Sequence, residues 1–236
     1  MKNLFDVSGK VAVVTGGSRG IGAMIAEGFV ANGVRTYITA RREDELQATA
    51  AALSQQGDQA EAAFGTVNIL VNNAGATWGA SVDEFPENGW DKVMDLNVKS
   101  IFFLTQQLLP ALRAAGTDAD PARVINIGSV NGITNSHMQN YSYTASKAAV
   151  HHLTRHMGAE LARERVNVNA IAPGLFPSKM TAHMAGHEEE MVKAFPVSRM
   201  GAPEDAAGTA IYLSSRASAW VTGHVLVLDG GLVAVS

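Results

Sequence analysis

The stretch Tyr141-Ser142-Tyr143-Thr144-Ala145-Ser146-Lys147 holds two tyrosines and a lysine within seven residues. Residues four apart on an α-helix lie on one face, so Tyr143 and Lys147 form a pair if this segment is helical. Tyr141 is six residues from the lysine, about 240° round the helix axis, and is expected just ahead of the helix start. A tyrosine titrates near 10 when unperturbed. A neighbouring ammonium favours its phenolate, and a phenol tuned toward neutral pH is a general acid or base. Tyr143 is therefore the candidate proton donor. Tyr141 is left to packing or to a cleft wall, where its large ring and polar tip are at home.

A second chemical feature lies near the start of the chain. Lys10 to Thr15 is a short β-branched run, and Thr15-Gly16-Gly17-Ser18-Arg19-Gly20-Ile21-Gly22 follows it directly. Glycines here let the chain turn sharply and let a pyrophosphate approach the backbone. A helix opening near Ile21 would aim its N–H groups and positive dipole end at the phosphates. The alternative is a tight strand-to-helix turn with no ligand. After the second strand the chain reads Thr39-Ala40-Arg41-Arg42, where an acid would bind the adenosine ribose of NAD. With Arg19 in the glycine loop, these guanidiniums suit a ribose 2′-phosphate instead, so NADP(H) is the expected cofactor. The alternative for Arg41 and Arg42 is a solvated turn at a helix start.

The elements that must hold these residues alternate. Strands are predicted over 10–15, 34–39, 67–71, 123–127, 166–171 and 225–228. Helices are predicted over 21–31, 43–56, 90–115 (kinked or interrupted at Pro110), 143–163 and 203–213, with Pro203 in the first turn of the last. Alternation of this kind predicts an α/β fold: one Rossmann-type doubly wound parallel sheet in a single domain over 1–236. A small helical lid is expected after Pro173-Gly174, over about 178–195.

Bulk properties exclude other classes. The chain has 236 residues, 47% apolar and 17% charged, which is ordinary for a folded globule. Its net charge of −4 gives no basic surface for nucleic acid. There is no cysteine, hence no disulfide or thiolate chemistry. No run approaches a membrane span, and the opening MKNLFDVSGK lacks the apolar core of a signal peptide, so a cytoplasmic location is expected. His152 and His156 have the spacing of two metal ligands, but no third ligand is evident and no metal is expected.

The ordered set Thr15-Gly16 to Gly20-Ile21-Gly22, Asn72-Asn73-Ala74-Gly75, Ser129, Tyr143 to Lys147, Pro173-Gly174 and Asp229-Gly230-Gly231 resembles the short-chain dehydrogenase/reductases over nearly the whole chain. Val124 to Val130 and Ala172 to Thr181 are similar to the 3-oxoacyl reductase branch, including the reductases of rhamnolipid-type β-hydroxyacyl supply. The resemblance implies that Tyr143 is the acid/base, that Lys147 lowers its pKa and holds the nicotinamide ribose, and that Ser129 binds the substrate carbonyl. It implies that Asn97 holds a water in a proton relay to Lys147. Asn73, Ala74 and Gly75 line the cofactor cleft, Pro173 and Gly174 border the nicotinamide, and Phe176 and Ser178 contact its carboxamide and the phosphates. The implied reaction is NADPH-dependent reduction of a 3-oxoacyl thioester on acyl carrier protein or coenzyme A, by a homotetramer. An alcohol, sugar, polyol or steroid dehydrogenase, and a nucleotide-binding sensor without turnover, are the rival readings.

One stretch departs from the family. Between Gln56 and Val67 there is room for neither the strand nor the helix that the family places there. A doubly wound sheet lacking an interior-side strand would expose apolar edges and helix faces. That cost favours a segment missing from the sequence over a tolerated deletion.

Overall fold

The structure, a computed structural model, describes residues 3–54, 65–135, 138–178, 181, 192–193 and 195–236. Most of the expected lid and of the short stretch between Gln56 and Val67 lies outside the described residues. Six strands form one parallel sheet: β1 (Val11–Thr15), β2 (Arg35–Thr39), β3 (Ile69–Asn72), β4 (Ala122–Ile127), β5 (Val166–Pro173) and β6 (Val225–Leu228). Their order is β2-β1-β3-β4-β5-β6. The helices are α1 (Gly20–Ala31), α2 (Glu43–Ser54), α3 (Glu87–Met94), α4 (Ser100–Ala115), α5 (Tyr141–Leu161) and α6 (Pro203–Ser214).

The inner strands are apolar on both faces because helices cover both. Ala12 and Val14 pack with Ile25 and Phe29 of α1 and Ala206, Ala210 and Leu213 of α6. Val13, one residue out of phase, packs on the other face with Leu112 of α4 and Met157 and Leu161 of α5. From β1 the chain goes one way to β2 and then back past β1 to β3. That reversal opens a crevice at the carboxyl ends of β1 and β3, where open α/β sheets bind ligands.

Three expectations change. The long helix predicted over 90–115 is broken not at Pro110, which lies inside α4, but by a π-helical turn over Asp95–Lys99. Tyr141 is the first residue of α5 rather than a residue before it. Its ring packs edge-on against Phe85 at 5.9 Å. The third concerns the short connection between α2 and β3. Both sides of β1, β3, β4 and β5 are already paired, so an additional strand there could only extend the sheet beyond β2. The argument from a missing interior strand therefore fails, since shortening the chain here removes material from an edge.

Beneath the site a row of buried amides and hydroxyls joins four elements. Asn72 Nδ2 donates to Asn126 Oδ1 at 2.9 Å and to Thr105 Oγ1 at 3.2 Å. Asn126 Nδ2 donates to Thr154 Oγ1 at 2.9 Å. The first bond ties β3 to β4, the second β3 to α4 and the third β4 to α5. Asn126→Ala leaves Asn72 and Thr154 each short of a partner and is expected to cost about 2 kcal/mol. A denaturant titration at neutral pH checks this; an unchanged midpoint contradicts it.

Candidate active site

The glycine loop leaves β1 through Gly16 at φ 64, a left-handed conformation. A β-carbon at Gly22 would lie 2.3 Å from Asn73 Nδ2, so the α1 N-terminus sits against the β3 loop in a way only glycine permits. Thr15 is the hub of this junction. Its hydroxyl accepts the backbone N–H groups of Asn73 and Ala74, both at 3.0 Å. Asn73 Nδ2 returns bonds to the carbonyls of Thr15 at 2.9 Å and Gly16 at 3.1 Å. The Asn73 amide thus braces the loop from behind, and Ala74 and Gly75 form the adjoining wall. The carbonyl of Ser18 accepts from Thr49 of α2, and Ile21 packs onto the core. Helix α1 begins after Arg19 with no side-chain cap and no acid in its first turn, which leaves its positive end to an incoming anion.

Ser129, Tyr143 and Lys147 come together at the end of β4. The Tyr143 phenol hydrogen-bonds the Ser129 hydroxyl. Lys147 is buried, and its Nζ donates to the Ile127 carbonyl at 2.7 Å and stands 5.5 Å from the Tyr143 ring centre. Burial pushes the lysine down to about 8, still largely charged at neutral pH. Burial raises the Tyr143 pKa, and the Ser129 hydrogen bond offsets only part of the rise. The expected lowering of the phenol by Lys147 is therefore not what the protein alone produces: desolvation of the ring is the larger effect, and the ammonium lies across its face. Asn97, fully buried in the π-helical turn, spends its amide on Ala76 N–H (2.8 Å), Ala76 carbonyl (2.9 Å) and Ser146 Oγ (2.9 Å). These three bonds commit the amide to holding the Ala76 backbone against α5.

Beside the glycine loop, Arg19 and Arg42 meet on one carboxylate. Glu45 in the first turn of α2 lies 3.3 Å from Arg19 and 3.1 Å from Arg42, and Arg42 also pairs with Asp44 at 2.9 Å. Arg41 is exposed between β2 and α2. Nothing in residue spacing marked Glu45, since it lies beyond the expected strand end. Pro173 closes β5, and the Gly174 N–H donates to Leu228 of β6 at 2.9 Å. Ser178 reaches the glycine loop: a β-carbon on Gly20 would lie 3.6 Å from its own. Thr181 holds this turn by donating to the Phe176 carbonyl at 2.9 Å. The ring of Phe176 is buried in the core and packs against Gly201.

This arrangement can grip a dinucleotide and deliver a proton beside it. The family model for short chain dehydrogenases matches residues 10–189. The chain is a short-chain dehydrogenase. Relatives within the family include the rhamnolipids biosynthesis 3-oxoacyl-[acyl-carrier-protein] reductase of Pseudomonas aeruginosa, 46% identical over 98% of this chain and 99% of that one. The gluconate 5-dehydrogenase of Gluconobacter oxydans is 33% identical over 98% and 97%. Among solved structures, the RhlG/NADP active-site complex of P. aeruginosa superimposes with a TM-score of 0.92 at 45% identity, covering 99% of this chain and all of that one. A Burkholderia cenocepacia gluconate 5-dehydrogenase in complex with NADP and tartrate gives 0.88 at 30% identity, covering 99% of each chain. The alignment with the P. aeruginosa reductase runs over 253 positions, more than the 236 residues of this short-chain dehydrogenase. That relative therefore carries residues with no counterpart here.

Lys147 has a pH signature. Its native pKa of about 8 lies below the ordinary 10.5, so the unfolded chain binds more protons between those values and stability rises with pH across that window. Below about pH 8 the buried charge carries its full cost. Lys147→Met should raise stability at pH 7 by about 1 to 3 kcal/mol and flatten the rise between pH 8 and 9.5. Denaturant midpoints at the two ends of that range check the sign.

Proposed function

We propose that this short-chain dehydrogenase reduces a 3-oxoacyl thioester to its hydroxyacyl product with NADPH. The observation that carries the reading is the Ser129–Tyr143–Lys147 cluster at the mouth of the crevice, in a chain 46% identical to a 3-oxoacyl reductase. The site fits NADP(H). The uncapped start of α1 and its close approach to the β3 loop suit a pyrophosphate. Arg19, Arg41 and Arg42 suit the 2′-phosphate, and no carboxylate ends β2. Arg19 and Arg42 must release Glu45 to take it.

NADPH, when bound, supplies the hydride. The protein supplies the rest. The Ser129 and Tyr143 hydroxyls converge on the carbonyl oxygen and polarise it. The phenol proton of Tyr143 then passes to that oxygen as it gains charge. Lys147 uses one N–H on Ile127 and keeps two for ribose hydroxyls and for restoring the proton. The backbone around Asn97 and the turn at Asn73 to Gly75 hold the wall that positions the lysine. Pro173, Gly174 and the Phe176 backbone border the nicotinamide, and Ser178 closes on the glycine loop.

The acyl group arrives on acyl carrier protein or coenzyme A. The working unit is one domain of 1–236 in a homotetramer, supported by exposed Phe102 and Phe103 side by side on α4. The site of action is the cytoplasm. Among the described residues no helix is long and apolar enough to cross a membrane.

NADPH consumption with acetoacetyl thioesters, 5-keto-D-gluconate and a steroid ketone tests the substrate class. Preference for the keto sugar acid would replace the thioester reading with a polyol one. Tyr143→Phe should lower kcat by about 100-fold or more with NADPH affinity retained; unchanged turnover refutes the proton donor. Arg19→Ala should weaken NADPH by about 10-fold or more and leave NADH nearly unchanged, as read by nucleotide fluorescence. Equal weakening of both would refute the phosphate site.

A further inference from the structure

Helix α5 carries a third polar residue in line with Tyr143 and Lys147: His151, one turn further on and buried. Its Nε2 accepts the backbone N–H of Ser129 at 3.4 Å. The ring also hydrogen-bonds the backbone of Gly132, and because that bond favours the protonated ring, the ring is the donor. The two contacts specify one tautomer, with the proton on Nδ1. Between them lies the tight turn Val130–Gly132, opened by Ser129, whose own hydroxyl accepts from Asn131 N–H at 3.2 Å. The fit is close on both sides. A β-carbon on Gly128 would lie 2.2 Å from Nε2, and one on Gly132 would lie 2.8 Å from Cε1. Burial, then the charges of Lys147 and Arg155, hold the ring down to about 4, so it is neutral wherever the enzyme works.

We propose that His151 is a positioning residue that clamps the Ser129–Gly132 turn at both ends and so sets the direction of the Ser129 hydroxyl. The ring touches neither the crevice nor Tyr143 through any of these bonds. It works on the backbone that carries Ser129. A misdirected hydroxyl still lets nucleotide and substrate in but polarises the carbonyl poorly, and such errors appear in turnover. The proposal rests on the reading of Ser129 as the carbonyl-binding hydroxyl.

The test is a double-mutant cycle on the purified enzyme with NADPH and acetoacetyl-CoA. His151→Leu keeps the apolar bulk and removes both bonds. It should lower kcat by about 10-fold or more while NADPH affinity, measured by fluorescence, stays within about 2-fold. His151→Gln, whose amide can still accept from the Ser129 N–H, should recover most of that loss. In a Ser129→Ala background His151→Leu should cost little more, because the group it directs is gone. Equal losses in the Leu and Gln variants overturn the proposal, as does full additivity with Ser129→Ala or normal turnover in His151→Leu. If Ser129→Ala itself turns over normally, the carbonyl-binding role falls first and the clamp falls with it.

Discussion

Everything at the crevice depends on the rotational and axial setting of one helix. Tyr143, Lys147 and His151 form a stripe along α5 because four residues are a little more than one turn. A stripe is useful only if it faces the ends of β4 and β5. That setting is held from inside by direct bonds: Asn126 to Thr154, Asn97 to Ser146, Lys147 to Ile127 and Ser129 to His151. Gly158 adds a steric limit, since a β-carbon there would lie 2.6 Å from the Gly223 nitrogen. Rotating α5 by one residue, about 100°, would break all of these at once.

Burial sets the electrostatics of the pair more than mutual attraction does. Both groups are driven toward their neutral forms, the lysine downward and the phenol upward. A lysine held near 8 keeps most of its charge at neutral pH yet gives up a proton more easily than a free one. The phenol stays protonated, and burial makes it a weaker acid than a free tyrosine. Any lowering of the phenol must come from charges and hydrogen bonds that assemble with the ligands, because the protein alone does not provide it.

Much of this was legible in the amino-acid order, and the parts that were not have physical reasons. The β-branched runs and glycine punctuation foretold the alternating parallel sheet, because strands covered on both faces must be apolar throughout. Helical spacing separated Tyr143 from Tyr141 without any structure. The π-helical turn at Asp95–Lys99 was invisible, since its extra residue changes hydrogen-bond register without a special residue type. Asn72 and Asn126 are distant in sequence and meet through strand pairing, and Thr154 joins them only when α5 packs onto β4. Phe176 sits in a motif that suggests the crevice, but its ring is large and apolar, and the core took it.

On the proposed reading of Arg19 and Arg42 as the 2′-phosphate site, the carboxylate of Glu45 between them makes it an ion-exchange site. An arriving 2′-phosphate replaces an anion that is already there, so part of what it gains is returned as Glu45 is set free. The net affinity is a difference between two similar attractions, and added salt weakens both. Such a pocket discriminates through the forked geometry of a dianionic phosphate more than through bare charge. In this structure the two arginines share Glu45 of α2 and are not left to repel one another.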